Sequence, residues 1–103
     1  MKYTIKFVKN GEPFEMPDWT TKKHEAAIAE CLKNCKDLPA EEQDKELRFY
    51  IIYQTLHEID DTVKLDTIRN LHPEDLIELF EAVYNAGKRG IVFQEKSRTK
   101  KKD

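Results

Sequence analysis

Residues 5–16 read Ile5-Lys6-Phe7-Val8-Lys9-Asn10-Gly11-Glu12-Pro13-Phe14-Glu15-Met16, and this stretch predicts a β-hairpin. Asn10-Gly11 indicates a two-residue type I′ turn, because both central residues of that turn need a positive φ. With this loop, apolar side chains pair across the strands and lysines pair with glutamates. The expected pairs are Ile5 with Met16, Lys6 with Glu15, Phe7 with Phe14, Val8 with Pro13, and Lys9 with Glu12.

A hairpin alone is marginally stable in water, so its apolar face must pack on the rest of the chain. That face comprises Tyr3, Ile5, Phe7, Phe14 and Met16. The later sequence has the 3.6-residue periodicity of helices, which indicates that helices cover it.

The first helix is predicted to begin near Thr21, which is the preferred N-cap, with Asp18 and Thr20 as alternatives. Trp19 precedes it and is expected to act as a structural anchor at the junction of hairpin and helix, rather than as a ligand platform. The helix then carries one apolar stripe, formed by His24, Ala27, Ile28, Cys31, Leu32 and Cys35.

The second helix is predicted from Pro39 to Ile59 and has two apolar faces. One face contains Phe49, Ile52, Tyr53 and Leu56, and we assign it to the core. The other face lies about half a turn away and contains Leu47, Tyr50 and Ile51. A helix with two apolar faces is either the central element of its domain or half of an interface, and these three residues are the candidate partner-binding residues.

Asp60-Asp61-Thr62 interrupts the pattern without the spacing of an EF-hand, and residues 63–71 read as a connector that ends in one helical turn. A last helix begins at Pro73, with acidic residues in its first turn, and closes at Asn85-Ala86-Gly87 with Gly87 left-handed. Ile91-Val92-Phe93 is a candidate for a short added strand.

These elements predict an α+β fold that is mainly helical, with an N-terminal β-hairpin packed on a bundle of three to four helices. Residues 1–95 are expected to form a single domain, and residues 96–103 a basic disordered tail.

The charge of the chain is unevenly distributed. From Lys88 onward the chain has seven Lys/Arg and two Asp/Glu, which gives this segment a charge of +5. Because the net charge of the whole chain is −2, residues 1–87 carry a charge of −7. An acidic body argues against nucleic-acid binding, although the basic tail is a candidate contact for an anionic partner. The chain also has no run of about 18 apolar residues, so no membrane span is expected.

No residue set points to catalysis or to a metal. His24-Glu25 and His57-Glu58 lack the second histidine of a zincin helix, and a zinc site built from His24, Cys31, Cys35 and His57 has the wrong ligand spacing. The cysteines lie one helical turn apart, which disfavours a disulfide and fits free thiols in a reducing cytoplasm. We therefore expect no enzyme, no catalytic residue, no metal and no cofactor.

The hairpin, the segment Pro17-Asp18-Trp19-Thr20 with Lys23-His24-Glu25 behind it, and the closing segment Leu71-His72-Pro73-Glu74-Asp75-Leu76 together resemble the small tail assembly chaperones of long-tailed bacteriophages. The resemblance covers most of residues 1–90. It implies a protein of the bacterial host cytoplasm that binds the tape measure protein, keeps it soluble and helps the tail tube protein to polymerise around it. It implies no cofactor and no catalytic residue.

The two-faced helix leaves an alternative open. A homo-oligomeric phage or mobile-element scaffold protein would use the same second face, Leu47, Tyr50 and Ile51, to bind further copies of itself.

Overall fold

A computed structural model describes residues 2–88 of the chain. Two short strands, β1 (Lys2–Tyr3) and β2 (Phe14–Glu15), form an antiparallel pair. Four helices follow, namely α1 (Thr21–Cys35), α2 (Ala40–Ile59), α3 (Leu65–Arg69) and α4 (Pro73–Tyr84). The predicted class, a mainly helical α+β fold with an N-terminal hairpin on a helical bundle, is confirmed.

The predicted register of the hairpin is wrong. Tyr3 rather than Phe7 pairs with Phe14, and Lys2 rather than Lys6 pairs with Glu15. Lys2 and Glu15 also form a salt bridge, with 3.9 Å between Nζ and Oε2. This register obeys the same rule as the predicted one, since it places an aromatic side chain opposite an aromatic one and a lysine opposite a glutamate.

The Asn10-Gly11 turn is present but does not join two paired strands. Both residues have positive φ, 57° and 83°, and the Glu12 N–H donates to the Lys9 carbonyl at 3.1 Å. Lys9 is left-handed as well, with φ 51°, and its own N–H donates to the Asp60 carboxylate instead of to Glu12. Two main-chain hydrogen bonds between Lys9 and Glu12 were expected to close the hairpin. One of them is replaced by the hydrogen bond from Lys9 to Asp60 at the end of α2.

Val8 explains why the loop is wide. It was expected opposite Pro13 on the other face from the apolar side chains, yet it is fully buried. Two successive turns place Val8 in the core. In the first turn the Val8 N–H donates to the Ile5 carbonyl, and in the second the Gly11 N–H donates to the Val8 carbonyl, both at 2.9 Å. Burial of this side chain and the Asp60 bond take the place of the strand pairing that was expected between residues 5–9 and 12–16.

The helix boundaries follow their capping signals. Thr20, and not Thr21, caps α1, because its Oγ1 accepts from the Lys23 N–H at 3.3 Å. The α4 helix begins at Pro73 with the His72 side chain accepting from the Glu74 N–H, and Gly87 is left-handed as predicted, with φ 83°.

Helix α2 is the central element, with α1, α3 and α4 all packed against it. Its first face holds Ile52 and Leu56, which are fully buried in a cluster with Val8, Phe14, Val63 and Ile68. Its second face is also covered, by Ala27 and the two cysteines of α1. Of the two alternatives for a two-faced helix, the fold therefore supports the central element of one domain.

That packing removes the exposed surface expected at Leu47, Tyr50 and Ile51. Tyr50 is 5% and Ile51 2% exposed, and Leu47 packs between the clusters of α1. Partner binding by these three residues stays a prediction, but the fold does not favour it, since a partner can reach Tyr50 and Ile51 only if α1 leaves.

Several predictions concern residues outside 2–88. The added strand at Ile91–Phe93, the domain end at residue 95 and the basic tail at 96–103 all lie beyond the described residues. Among the helices of residues 2–88, none has the length and apolar character that crossing a membrane requires.

Candidate functional site

The most prominent exposed apolar surface runs along α4. Among the described residues, four large apolar side chains are strongly exposed, Leu32, Leu38, Ile77 and Tyr84, and the last two are the most exposed, at 59% and 48%. Ile77 and Tyr84 lie seven residues apart on one side of α4, with half-buried Phe80 between them. We call Ile77, Phe80 and Tyr84 the α4 stripe.

Aromatic contacts connect this stripe to the start of α1. The rings of Phe80 and Tyr84 are stacked with centroids 5.4 Å apart, and Tyr84 meets His24 edge-on at 6.0 Å. His24 in turn meets Trp19 edge-on at 6.0 Å. At the other end, the guanidinium carbon of Arg48 lies 6.0 Å from the Phe80 ring centroid, which is a cation–π distance. The result is a continuous row of rings from the first helix to the last.

Local backbone structure fixes this row in place. The main-chain N–H of Trp19 donates to the Ala86 carbonyl at 2.9 Å, so the segment before α1 is tied to the segment after α4. At Gly87 the backbone passes so close to Asp18 that a Cβ on the glycine would lie 2.5 Å from the Asp18 Cγ. Glycine is favoured there, because the φ of 83° is left-handed and a Cβ would force the Asp18 side chain to move.

A cleft of about 380 Å³ lies beside this junction. Its lining includes Trp19, His24, Tyr84, Gly87 and Lys88. The Trp19 Nε1 and His24 Nδ1 atoms are buried without a hydrogen-bond partner among residues 2–88. Aromatic rings and an arginine are groups that protein-binding hot spots favour.

The partly exposed polar groups that connect α2 to α3 and to Cys35 of α1 have a structural role. Arg69 binds Glu46 through both guanidinium nitrogens and lies over the Phe49 ring, 4.8 Å from its centroid. The Arg69 bond lowers the pKa of the Glu46 carboxyl. This ion pair links α3 to α2 and extends over the Cys35 thiol, whose Sγ lies 3.9 Å from Glu46 Oε1.

The two cysteines are not arranged as nucleophiles. Both are free, with Cys31 3% and Cys35 7% exposed, so they are more deeply buried than the half-buried thiols expected from sequence. Burial and the neighbouring Cys35 raise the pKa of the Cys31 thiol to about 11, which keeps it protonated and unreactive at neutral pH.

The candidate zinc ligands are not brought together. His24 contacts Trp19 and Tyr84, whereas His57 packs on Tyr53 and has its Nδ1 3.1 Å from the Val63 carbonyl oxygen. Within residues 2–88, no three His, Cys, Asp or Glu side chains are placed to share a metal ion.

The sequence pattern of α4 shows a wide apolar band but does not say which of its side chains are exposed. The apolar band of α4 comprises Leu76, Ile77, Leu79, Phe80, Val83 and Tyr84. At about 100° per residue these six cover roughly 160° of the helix, more than one packing partner buries in a small domain. The excess width of this apolar band indicates that part of it is exposed, and Ile77 and Tyr84 lie at the outer edge of the band.

No protein family, no curated protein and no solved structure matches this chain.

Proposed function

We propose that this chain is a non-enzymatic tail assembly chaperone of a long-tailed bacteriophage. In this role it binds the tape measure protein in the cytoplasm of the bacterial host and assists assembly of the tail tube protein around it. The proposal rests on the resemblance carried by the hairpin, by Pro17-Asp18-Trp19-Thr20 and by the closing segment from Leu71 to Leu76.

The single observation that supports a client-binding role is the α4 stripe. A chaperone for an elongated helical client needs exposed apolar surface on an otherwise charged body. Ile77 and Tyr84 provide such surface on a chain in which 37% of the residues are charged. Their position beside Phe80, Arg48 and the Trp19 cleft gives that surface the aromatic and arginine content of a hot spot.

The alternative function is a homo-oligomeric phage or mobile-element scaffold protein without a client. The α4 stripe would then bind a second copy of the chain. The two functions differ in what covers the stripe, so one experiment separates them.

The test is co-expression of the full chain with a tape measure protein encoded in the same genome. We expect the wild type to raise the soluble fraction of the tape measure protein and to co-purify with it. Ile77→Asp should abolish both effects, because a carboxylate cannot be desolvated against an apolar client. Leu32→Asp is the matched control, since Leu32 is 45% exposed on α1, and it should behave as wild type.

Absence of a complex with the wild-type chain would overturn the chaperone function. A stable homo-oligomer that Ile77→Asp dissociates, without any complex with the tape measure protein, would establish the alternative. Complex formation that is equally strong with Ile77→Asp would exclude the α4 stripe as the client surface.

A further inference from the structure

One side of α4 carries a cluster of carboxylates. The helix from Pro73 to Tyr84 contains four carboxylates and no basic residue, namely Glu74, Asp75, Glu78 and Glu81. All four are exposed, and none of them forms an ion pair within residues 2–88. The helix therefore presents unneutralised negative charge to solvent.

Three of these carboxylates run parallel to the α4 stripe. Glu81 follows Ile77 by four residues, which places it only about 40° further around the helix. Glu74 and Glu78 continue the same row at one-turn intervals, and we call Glu74, Glu78 and Glu81 the acidic row. On the opposite side of the stripe, Arg48 of α2 lies over Phe80. The apolar surface thus has an acidic margin on one side and a packed helix on the other.

The length of the stripe matches a helical ligand. Ile77 and Tyr84 are about 10.5 Å apart along the axis, which is the spacing of positions i and i+7 on a second helix. A peptide that binds as an added β-strand would need free main-chain donors and acceptors to pair with. The flank of α4 offers none, because the main-chain groups of a helix interior are already bonded within the helix. A partner helix, with its own main-chain bonds satisfied, meets no such requirement.

We infer that the α4 stripe binds an amphipathic helix whose apolar face is flanked by lysine or arginine. This inference deepens the proposed function, since it names the kind of client segment that the stripe takes. Basic side chains of the partner would lie opposite the acidic row, and its apolar anchors would cover Ile77 and Tyr84.

The acidic row also bears on the homo-oligomer. Two copies that met through antiparallel α4 helices would place one acidic row near the other, and like charges across an interface oppose association. Charge complementarity therefore favours a basic partner over a second α4.

The test uses the full chain and two synthetic helical peptides without tryptophan. The peptides share the same apolar positions, but one has lysines at the flanking positions and the other has glutamates. Trp19 is the only tryptophan of the chain and belongs to the same row of rings, so its fluorescence reports binding. We expect the lysine peptide to bind at least ten-fold more tightly than the glutamate peptide. Raising the salt to about 0.5 M should weaken the lysine peptide several-fold.

A charge-neutral variant locates the effect. Glu74→Gln, Glu78→Gln and Glu81→Gln combined should reduce affinity for the lysine peptide about ten-fold. The matched control, with Glu12→Gln, Glu25→Gln and Asp37→Asn, removes three exposed carboxylates elsewhere and should keep most of the affinity. Circular dichroism of both variants should be unchanged, because the substituted side chains are exposed.

Equal binding of the two peptides, or an equal loss in both variants, would overturn the inference. Self-association through the stripe that excludes the lysine peptide would overturn it as well. Failure of the lysine peptide to bind, while the tape measure protein still co-purifies, would refute the basic helix and leave the chaperone function standing. Binding of the lysine peptide, together with no co-purification of the tape measure protein, would refute the chaperone function alone.

Discussion

The main-chain N–H of Lys9 donates to the carboxylate of Asp60, with 2.8 Å between the nitrogen and Oδ2, across 51 residues of sequence. The same carboxylate accepts from the main chain and the hydroxyl of Thr62, at 3.0 and 2.7 Å through Oδ1. One side chain at the end of α2 therefore holds both the connector that follows it and the N-terminal loop.

Removing the charge of Asp60 should lower the stability of the fold at neutral pH. The hydrogen bonds from the Thr62 hydroxyl, the Lys9 N–H and the Thr62 N–H lower the pKa of Asp60 to about 2. Because the folded pKa lies below the unfolded value of about 3.9, the stabilisation is complete above that value and is lost as the pH falls towards 2. Asp60→Asn should thus shift the urea midpoint down at pH 7, and by progressively less below pH 4.

Asp61→Asn is the control for Asp60→Asn, since it removes the neighbouring charge from a carboxylate that makes no hydrogen bond or ion pair within residues 2–88. Its urea midpoint should stay close to wild type at both ends of the pH range. Identical pH profiles for the two variants would contradict the role of Asp60.

Gly87 and Gly11 form a matched pair for a second prediction. Both have φ 83°, but a Cβ at Gly11 meets no atom closer than the Lys6 carbonyl oxygen at 4.0 Å, whereas a Cβ at Gly87 overlaps Asp18. Gly11→Ala should therefore lower the free energy of unfolding by about 1 kcal/mol, the penalty of a left-handed alanine. Gly87→Ala should lower it by more, as measured by equilibrium unfolding in urea, and equal losses would show that the segment after α4 moves away freely.

A third prediction concerns the two faces of α2. Ile51 and Ile52 pack in different core clusters and are 2% and 0% exposed, so Ile51→Ala and Ile52→Ala should each destabilise by about 2–5 kcal/mol. Tyr50→Asp should unfold the domain, because it buries a charge against α1. Ile77→Ala, at an exposed position, should change stability by less than about 0.5 kcal/mol.

A folded, stable Tyr50→Asp variant with weakened partner binding would contradict this third prediction. It would also restore Leu47, Tyr50 and Ile51 as an interface.

The cysteines give a fourth prediction. With a pKa of about 11, only about one Cys31 thiol in a thousand is ionised at pH 8, and burial hinders access further. Iodoacetamide should modify both cysteines slowly in the native chain and rapidly in urea, as followed by mass spectrometry. Native labelling as fast as in urea would mean that α1 opens readily from α2.

The helices could be predicted from sequence because their signals are local. Pro73, Gly87 and the acidic first turn of α4 act within a few residues, and the periodicity of α2 identified both of its apolar faces. The cap of α1 was displaced by only one residue, from Thr21 to Thr20.

The register of the hairpin could not be predicted, because two registers satisfy the same pairing rule. Tyr3 and Phe7 are both aromatic and both follow a lysine, so either can lie opposite Phe14. The contact that decides between them involves Asp60, which no local pattern connects to residue 9.

The covering of the second face of α2 was likewise open from sequence alone. Periodicity identifies an apolar face but not whether α1 or another molecule covers it. The exposed stripe on α4 was missed for the converse reason, since an apolar band predicts burial unless its width is compared with the room available around the core.

The bond between Trp19 and Ala86 has a consequence for the order of folding. It closes residues 19–86 into one loop, and closing a long loop costs more chain entropy than docking neighbouring helices. We expect α1 and α2, which are adjacent in sequence, to associate first, and the junction of Trp19, Tyr84 and Gly87 to form last. The row of rings from Trp19 to Phe80 would then be complete only in a fully synthesised and folded molecule. A nascent or damaged chain could not present it.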